Sequence, residues 1–310
     1  MNRNAKSAFS IGLAVSGLLW VIGVGSPSPV SAADVDPAYR ASFEKWKAEE
    51  VDDLKQNWLP LAGLFWLKPG ANSFGSDPSN DIILPQGSAP AHAGTFEFSG
   101  DQVTIKFRPG VSATIAGQAR DSAQLQPDTS GTPTVVELKS LRMHVIKRGQ
   151  RTGIRVKDLN SAAARNYRGP IFFDLNPAYK VTATWVPSHG NRTVDVPNVL
   201  GDTTPTPVAG EVRFKLNGQD VQLTDLGGDP SKGLFVVFND LTSKTDTYPG
   251  GRFLETDPVT NGTVVLDFNH AHNPPCAVTP YATCPLAPKE NRLAIAIPAG
   301  ERYDRTHAHH

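Results

Sequence analysis

Beyond position 36 the chain shows one stretch of helical periodicity and then almost none. Asp36-Pro37 reads as an N-cap followed by Pro in the first turn, and Phe43, Trp46, Glu50 and Leu54 recur at helical spacing among charged residues. One amphipathic helix is predicted over 37–56, with its aromatic stripe as a docking face. Downstream, hydrophobic residues alternate or run in short bursts broken by Gly, Pro, Asp and Asn. The bursts fall at 59–67, 82–84, 94–98 and 103–107, then at Val135, Val136 and Leu138, at Met143 and Val145, and at Ile154 and Val156. Others lie at 179–186, 193–199, 211–216, 219–224, 233–238, 263–269 and 293–297. These are strand signals. The Asn217-Gly218 pair between Val212-Phe214-Leu216 and Val221-Leu223 predicts a hairpin, because both residues tolerate the positive φ of its tight turn.

Short strands at this spacing predict a mainly β chain: a short N-terminal helix, then a small β-sandwich-like module, then a larger antiparallel β barrel or sandwich. The divisions read from the pattern are a helix over 34–57, the small module over 58–125, the larger one over 126–306, and a flexible tail at 307–310. Composition agrees: 27 Gly and 26 Pro supply frequent turns, and 39% hydrophobic residues exceed what a disordered chain carries. Thirty basic residues balance thirty acidic ones, so no bulk positive field exists to hold nucleic acid or an anionic membrane. The first 33 residues change the picture, because Arg3 and Lys6 precede an apolar run from Ala8 to Val24 and then Val30-Ser31-Ala32-Ala33. That is the order of a secretory signal peptide, with mature protein starting at Ala33 or Asp34. A periplasmic or secreted monomer without a transmembrane span after processing is the expectation.

Both cysteines, Cys276 and Cys284, fall in the exported part, and their separation suits a small disulfide loop across a Pro-rich turn. Two buried free thiols or half of a metal site are the alternatives, and the spacing matches neither a zinc knuckle nor a C-x-x-C redox motif.

The last third carries Asp240-Leu241-Thr242-Ser243, Thr247-Tyr248, Gly251-Arg252-Phe253-Leu254 and Asp267-Phe268-Asn269. Asn273-Pro274-Pro275-Cys276-Ala277, Pro280-Tyr281-Ala282-Thr283-Cys284-Pro285-Leu286 and Glu290-Asn291-Arg292-Leu293 follow. With Gly63-Leu64-Phe65-Trp66-Leu67 and Gly153-Ile154-Arg155-Val156-Lys157-Asp158 earlier in the chain, this pattern resembles the bacterial family known as domain of unknown function 1684. The resemblance implies no activity, and His270 and His272 depart from its pattern. A second resemblance covers 58–118: Asn72-Ser73-Phe74-Gly75-Ser76, Asn80-Asp81-Ile82-Ile83-Leu84 and His92-Ala93-Gly94-Thr95-Phe96 are similar to the start of a forkhead-associated domain. That fold is a β-sandwich whose functional form grips phosphothreonine. Here Ser76 stands for the family's Arg, and Ala89-Pro90 replace its Ser-Arg pair, so no phosphothreonine peptide is expected as a partner. His92 reads as a structural loop residue.

Nucleophile elbow, zinc helix, P-loop and Rossmann fingerprints are missing, and no cofactor or metal is implied. Alternation over 264–269 puts Asp267 and Asn269 on one strand face, leading into the Pro/Cys turn. The candidate ligand-binding set is therefore Arg252, Asp267, Asn269, Asn273 and Tyr281, around a small polar or anionic molecule. Arg252 is expected to pair with Asp267 or Glu255. An exported binding or envelope-associated accessory protein is the leading reading. The alternative is a secreted hydrolase of unfamiliar type, using Asp267 or Glu255 near Arg252. Arg142, His144 and Arg155 form a second, basic cluster if the strands around 142–157 align. His270 and His272 share a strand face, and the tail adds His307, His309 and His310 as weak metal donors; a frayed terminus is the expectation for the tail.

Overall fold

The computed structural model describes residues 35–305. The predicted signal segment and the tail histidines His307, His309 and His310 lie outside the described residues. Helix α1, Pro37–Asp53, starts as the sequence predicts: the Asp36 carboxylate accepts the Ala38 N–H at 2.8 Å and Pro37 fills the first turn. The helix widens into a π turn over Leu54–Trp58 and stops. Among the described residues no helix is long and apolar enough to cross a membrane.

Two β-sandwich bodies follow, and no closed barrel is present among the described residues. In the first, a five-stranded sheet runs Ile82–Ile83, Gly70–Gly75, Gly94–Ser99, Gln102–Phe107, Ser122–Leu125. It faces a sheet in which Leu61–Trp66 pairs with Arg151–Asp158, which pairs with Leu141–Arg148 and then Val136–Leu138. Phe74, Phe96 and Ile105 from one sheet and Val136, Met143, Ile154 and Val156 from the other fill a single core. Strands as late as 151–158 thus close the same core as those of 70–125, and the boundary read at 125/126 runs through it. The Ser76 hydroxyl donates to the Ala89 carbonyl at 3.0 Å, and a His92 ring nitrogen lies 3.2 Å from Asn80 Oδ1.

The second body is built on the antiparallel sheet Gln219–Thr224, Gly210–Leu216, Lys180–Pro187, Thr263–Asp267. Phe214, Leu223 and Leu266 on its inner face pack against Val236, Phe238 and Leu254 from the pair Phe235–Phe238 and Arg252–Glu255. The predicted hairpin is present, with Leu216 opposite Gln219 and φ of 51° at Asn217 and 77° at Gly218.

Three expectations are corrected. The stretch 293–297 is not a strand: Ile295 and Ile297 are buried, but the Ile297 N–H goes to the Asp240 carboxylate at 2.6 Å instead of to a neighbouring strand. The strand predicted to 269 ends at Asp267, and Asn269 sits in the 3-10 turn Phe268–His270. Finally, Cys276 and Cys284 are free thiols standing 3.5 Å apart, far outside the roughly 2.05 Å of an S–S bond. The turn is closed by backbone bonds instead. Ala277 N–H donates to the Pro274 carbonyl at 2.8 Å and Val199 N–H to the Cys284 carbonyl at 3.1 Å, while Cys276 N–H points at Cys284 Sγ, 3.3 Å away.

Candidate functional site

Strand Thr263–Asp267 delivers Asp267 to the sheet edge beneath α1, opposite Lys180 in register. The Tyr39 hydroxyl, from the first turn of the helix, bridges both Asp267 oxygens at 2.9 and 2.8 Å. Asn269 completes the clamp: its side-chain N–H groups lie 3.0 Å from Tyr39 Oη, 3.0 Å from Asp267 Oδ1 and 2.9 Å from the Asn176 carbonyl, and its Oδ1 accepts the Asn176 N–H at 3.0 Å. Burial and the neighbouring Asp267 carboxylate push the Tyr39 phenol well above its ordinary range, so it stays a donor. Lys180 Nζ lies 3.8 Å from Asp267 Oδ2 and 4.6 Å over the Tyr39 ring. Tyr39→Phe is expected to lower stability by about 1.5–3 kcal/mol, the scale of a hydrogen bond to a charged group, read as a denaturant midpoint shift with unchanged m.

The aromatic stripe docks one helical turn further on. Phe43 stacks on the His270 ring at 5.7 Å, Trp46 stacks on it at 4.5 Å, and Phe172 meets both edge-on. Beside this stack opens a cleft of about 320 Å³ lined by Trp46, Lys180, Glu255, Thr256, Asp257, Val265, Asp267, His270 and His272. His270 is held below its ordinary pKa by burial, with Lys180 and His272 adding to the shift and Asp267 opposing it, and its buried Nε2 has no partner. His272 Nδ1 lies 3.2 Å from the His270 carbonyl, so this nitrogen is a donor. Glu50, on the next turn of α1, is pushed above the usual carboxylate range by burial, opposed by His272 and reinforced by Glu255. A larger depression, about 520 Å³ over Thr182, Thr184, Arg213, Lys215 and Asp220, holds charged side chains that pair with neighbours: Arg213 with Glu211 at 2.7 Å and Lys215 with Asp220 at 2.7 Å.

The five residues singled out by sequence divide among three places. Asp267 and Asn269 meet at the cleft. Arg252 is fully buried in the second core: its guanidinium donates to the carbonyls of Ala299 and Ile297 and lies 3.6 Å from Asp240, which takes the place of the expected Asp267 or Glu255. Asn273 is tied to the C-terminal stretch, its N–H to Glu301 Oε2 at 2.7 Å and its Nδ2 to the Arg302 carbonyl at 3.0 Å. Tyr281 faces the first sandwich, where its carbonyl accepts from Arg155 at 3.5 Å. Sequence reasoning missed Tyr39, Lys180 and Glu50 as partners of this site. The helical spacing of Tyr39 with Phe43, Trp46 and Glu50 was the signal available for two of them.

The chain matches the family described as "Protein of unknown function (DUF1684)" over residues 165–302. No curated protein matches it. Among solved structures it is similar to an uncharacterized protein of Haloarcula marismortui at 34% identity and a TM-score of 0.39, covering 47% of this chain and 82% of that one. It is also similar to the FHA-2 domain from a Mycobacterium tuberculosis ABC transporter, at 23% identity and a TM-score of 0.23, over 28% of this chain and 76% of that one. The FHA domain of a Chlamydia trachomatis protein matches at 19% identity and a TM-score of 0.22, over 32% and 95% of the two chains.

Proposed function

The chain belongs to the DUF1684 family, and from that premise we propose that the protein is an exported binding protein whose cleft takes a small polar molecule, neutral or cationic. Export rests on the signal-like order of Arg3, Lys6, the Ala8–Val24 run and Ala32-Ala33. The observation that carries the binding reading is the charge of the cleft: Glu255, Asp257 and Asp267 outnumber Lys180 around an indole face and two imidazoles. Such a surface repels anions and offers acceptors to hydroxyl or ammonium groups, with Trp46 as the apolar contact. This charge favours a neutral or cationic polar ligand over an anionic one. Asp267 arrives pre-oriented by Tyr39 and Asn269, so little ordering cost remains for the ligand to offset. A hydrolase built on Asp267 or Glu255 near Arg252 lacks support here, because Arg252 is buried in the second core against Asp240, away from the cleft.

Calorimetric titration with monosaccharides, small amines and small carboxylates tests the proposal. Members of the first two groups are expected to bind, and Asp267→Asn, Glu255→Gln or Trp46→Ala to weaken them about tenfold or more, the value of one charge-assisted contact. Binding confined to carboxylates, or affinities unchanged in all three variants, contradicts it.

A further inference from the structure

The hairpin of Leu141–Arg148 and Arg151–Asp158 turns its outer face toward the 281–284 segment of the second body, and its register sets cations side by side. Arg142 stands opposite Lys157, His144 opposite Arg155 and Arg148 opposite Arg151, so the alignment on which the basic cluster of the sequence depended is present. Three of these cations are neutralised: Arg142 pairs with Glu137 at 2.8 Å, Arg148 with Asp128 at 2.6 Å and Arg151 with Asp202 at 2.8 Å. Lys157 and Arg155 make no ion pair among the described residues. Among the described residues Lys157 Nζ reaches only neutral oxygens, Asn57 Oδ1 at 3.1 Å and the Gln56 carbonyl at 3.5 Å.

Arg155 is the extreme case. The residue is 8% exposed, and among the described residues its Nε is buried without a hydrogen-bond partner and its guanidinium makes a single long hydrogen bond, from Nη2 to the Tyr281 carbonyl at 3.5 Å. The acids that influence this pair of cations are committed elsewhere. Asp128 is taken by Arg148 and by the Lys147 N–H at 3.0 Å, and Asp53 by Asn57 at 2.7 Å and Trp58 at 3.0 Å. His144 offers no compensation, since burial first and Arg155 second hold it down to about 4 and leave it neutral. An arginine escapes a low-dielectric site by losing its proton far less readily than a lysine or histidine does, so a buried, unpaired guanidinium is a standing demand for negative charge.

We propose that Arg155 anchors a binding site for a small oxyanion, a carboxylate or phosphate group, at the junction of the two sandwiches, with Lys157 as its second cation. The Nε and Nη2 groups lie on one edge of the guanidinium and present the two parallel donors that an oxyanion accepts bidentately. The long bond to Tyr281 yields readily to a better acceptor. This site shares no residue with the acidic cleft at Asp267 and takes ligands of opposite charge.

NMR of the exported full-length protein tests it, following arginine Nε–H signals and the His144 ring during titration with acetate or inorganic phosphate at fixed ionic strength against chloride. One arginine Nε–H signal, absent from Arg155→Gln, is expected to shift saturably, and the His144 pKa to rise because an anion beside it favours the imidazolium. Arg155→Gln is expected to lose about tenfold or more in affinity and Lys157→Gln about threefold to tenfold, whereas Arg151→Gln, whose partner is Asp202, stays within about twofold. The acetate and phosphate arms show which oxyanion is preferred. Absence of a saturable shift with both anions, or unchanged affinity in Arg155→Gln, overturns the proposal. If Arg155→Gln does not fold, an unchanged affinity in Lys157→Gln together with an unmoved His144 overturns it equally.

Discussion

Asp240→Ala is expected to destabilise the protein by about 3–5 kcal/mol, the range for removing one partner of a buried ion pair. Arg252 and Asp240 have side-chain exposures of 1% and 0%, so neither can turn to water when the other is lost. Burial pulls the guanidinium down to about 10 while Asp240 and Glu301 hold it up, and it remains charged at neutral pH. Asp240 does more than balance that charge. Its Oδ1 accepts from the Thr242 hydroxyl at 2.7 Å and the Ser243 hydroxyl at 3.3 Å, and its Oδ2 accepts the Ile297 N–H at 2.6 Å. Deleting the carboxylate takes the acceptor from three donors and the counter-charge from Arg252, and the loss is a large fraction of the about 5–15 kcal/mol that holds an ordinary domain together. Arg252→Met combined with Asp240→Leu removes charge and counter-charge together and is expected to recover most of the loss. Urea unfolding of the three proteins decides the matter; a cost below about 1 kcal/mol for Asp240→Ala contradicts the assignment.

Legibility in the sequence tracked how local the controlling interaction is. The Asn217-Gly218 turn could be read because its constraint, positive φ at both residues, belongs to those residues alone. The stripe on α1 was visible as a docking face, but its dock, His270 and Phe172, is more than a hundred positions away and leaves no mark on the helix. Alternation placed Asp267 correctly relative to Val264 and Leu266, which are buried, and failed at Asn269, where a turn replaces the period of two. Ile295 and Ile297 carry the hydrophobicity of a strand, yet pairing depends on what lies alongside, and alongside lies the Asp240 loop. The partner of Arg252 had the same character. Asp240, Glu255 and Asp267 are equivalent in sequence and are separated only by packing. In the cysteine pair, a spacing compatible with a bridge did not decide the outcome, and the thiols stand unbonded 3.5 Å apart.

Glu301 is expected to make stability fall as pH rises through the neutral range, and Glu301→Gln to abolish that fall. The residue is buried. Burial raises its pKa from 4.5 to about 8, an effect that the Asn273 N–H and Arg252 oppose and Glu50 reinforces. Between about pH 4.5 and about pH 8 the folded chain therefore retains a proton that the unfolded chain has lost. With more protons bound in the native state, the slope of unfolding free energy with pH is negative, about 1.4 kcal/mol per unit at its steepest. Below the unfolded value both states are protonated and the group contributes nothing to the slope; above the folded value both are ionised and the slope ends. A glutamine keeps an acceptor for the Asn273 N–H, now 2.7 Å from Glu301 Oε2, and has no proton to lose. The variant should thus match wild type near pH 4 and exceed it by a margin that grows through pH 8. Taking the difference between the two proteins cancels the titration of every group insensitive to Glu301. Guanidinium unfolding of both at pH 4, 5, 6, 7, 8 and 9 supplies the test. Parallel pH profiles would show that Glu301 is ionised in the fold at neutral pH and that the Asn273 and Arg252 contacts, not burial, govern it.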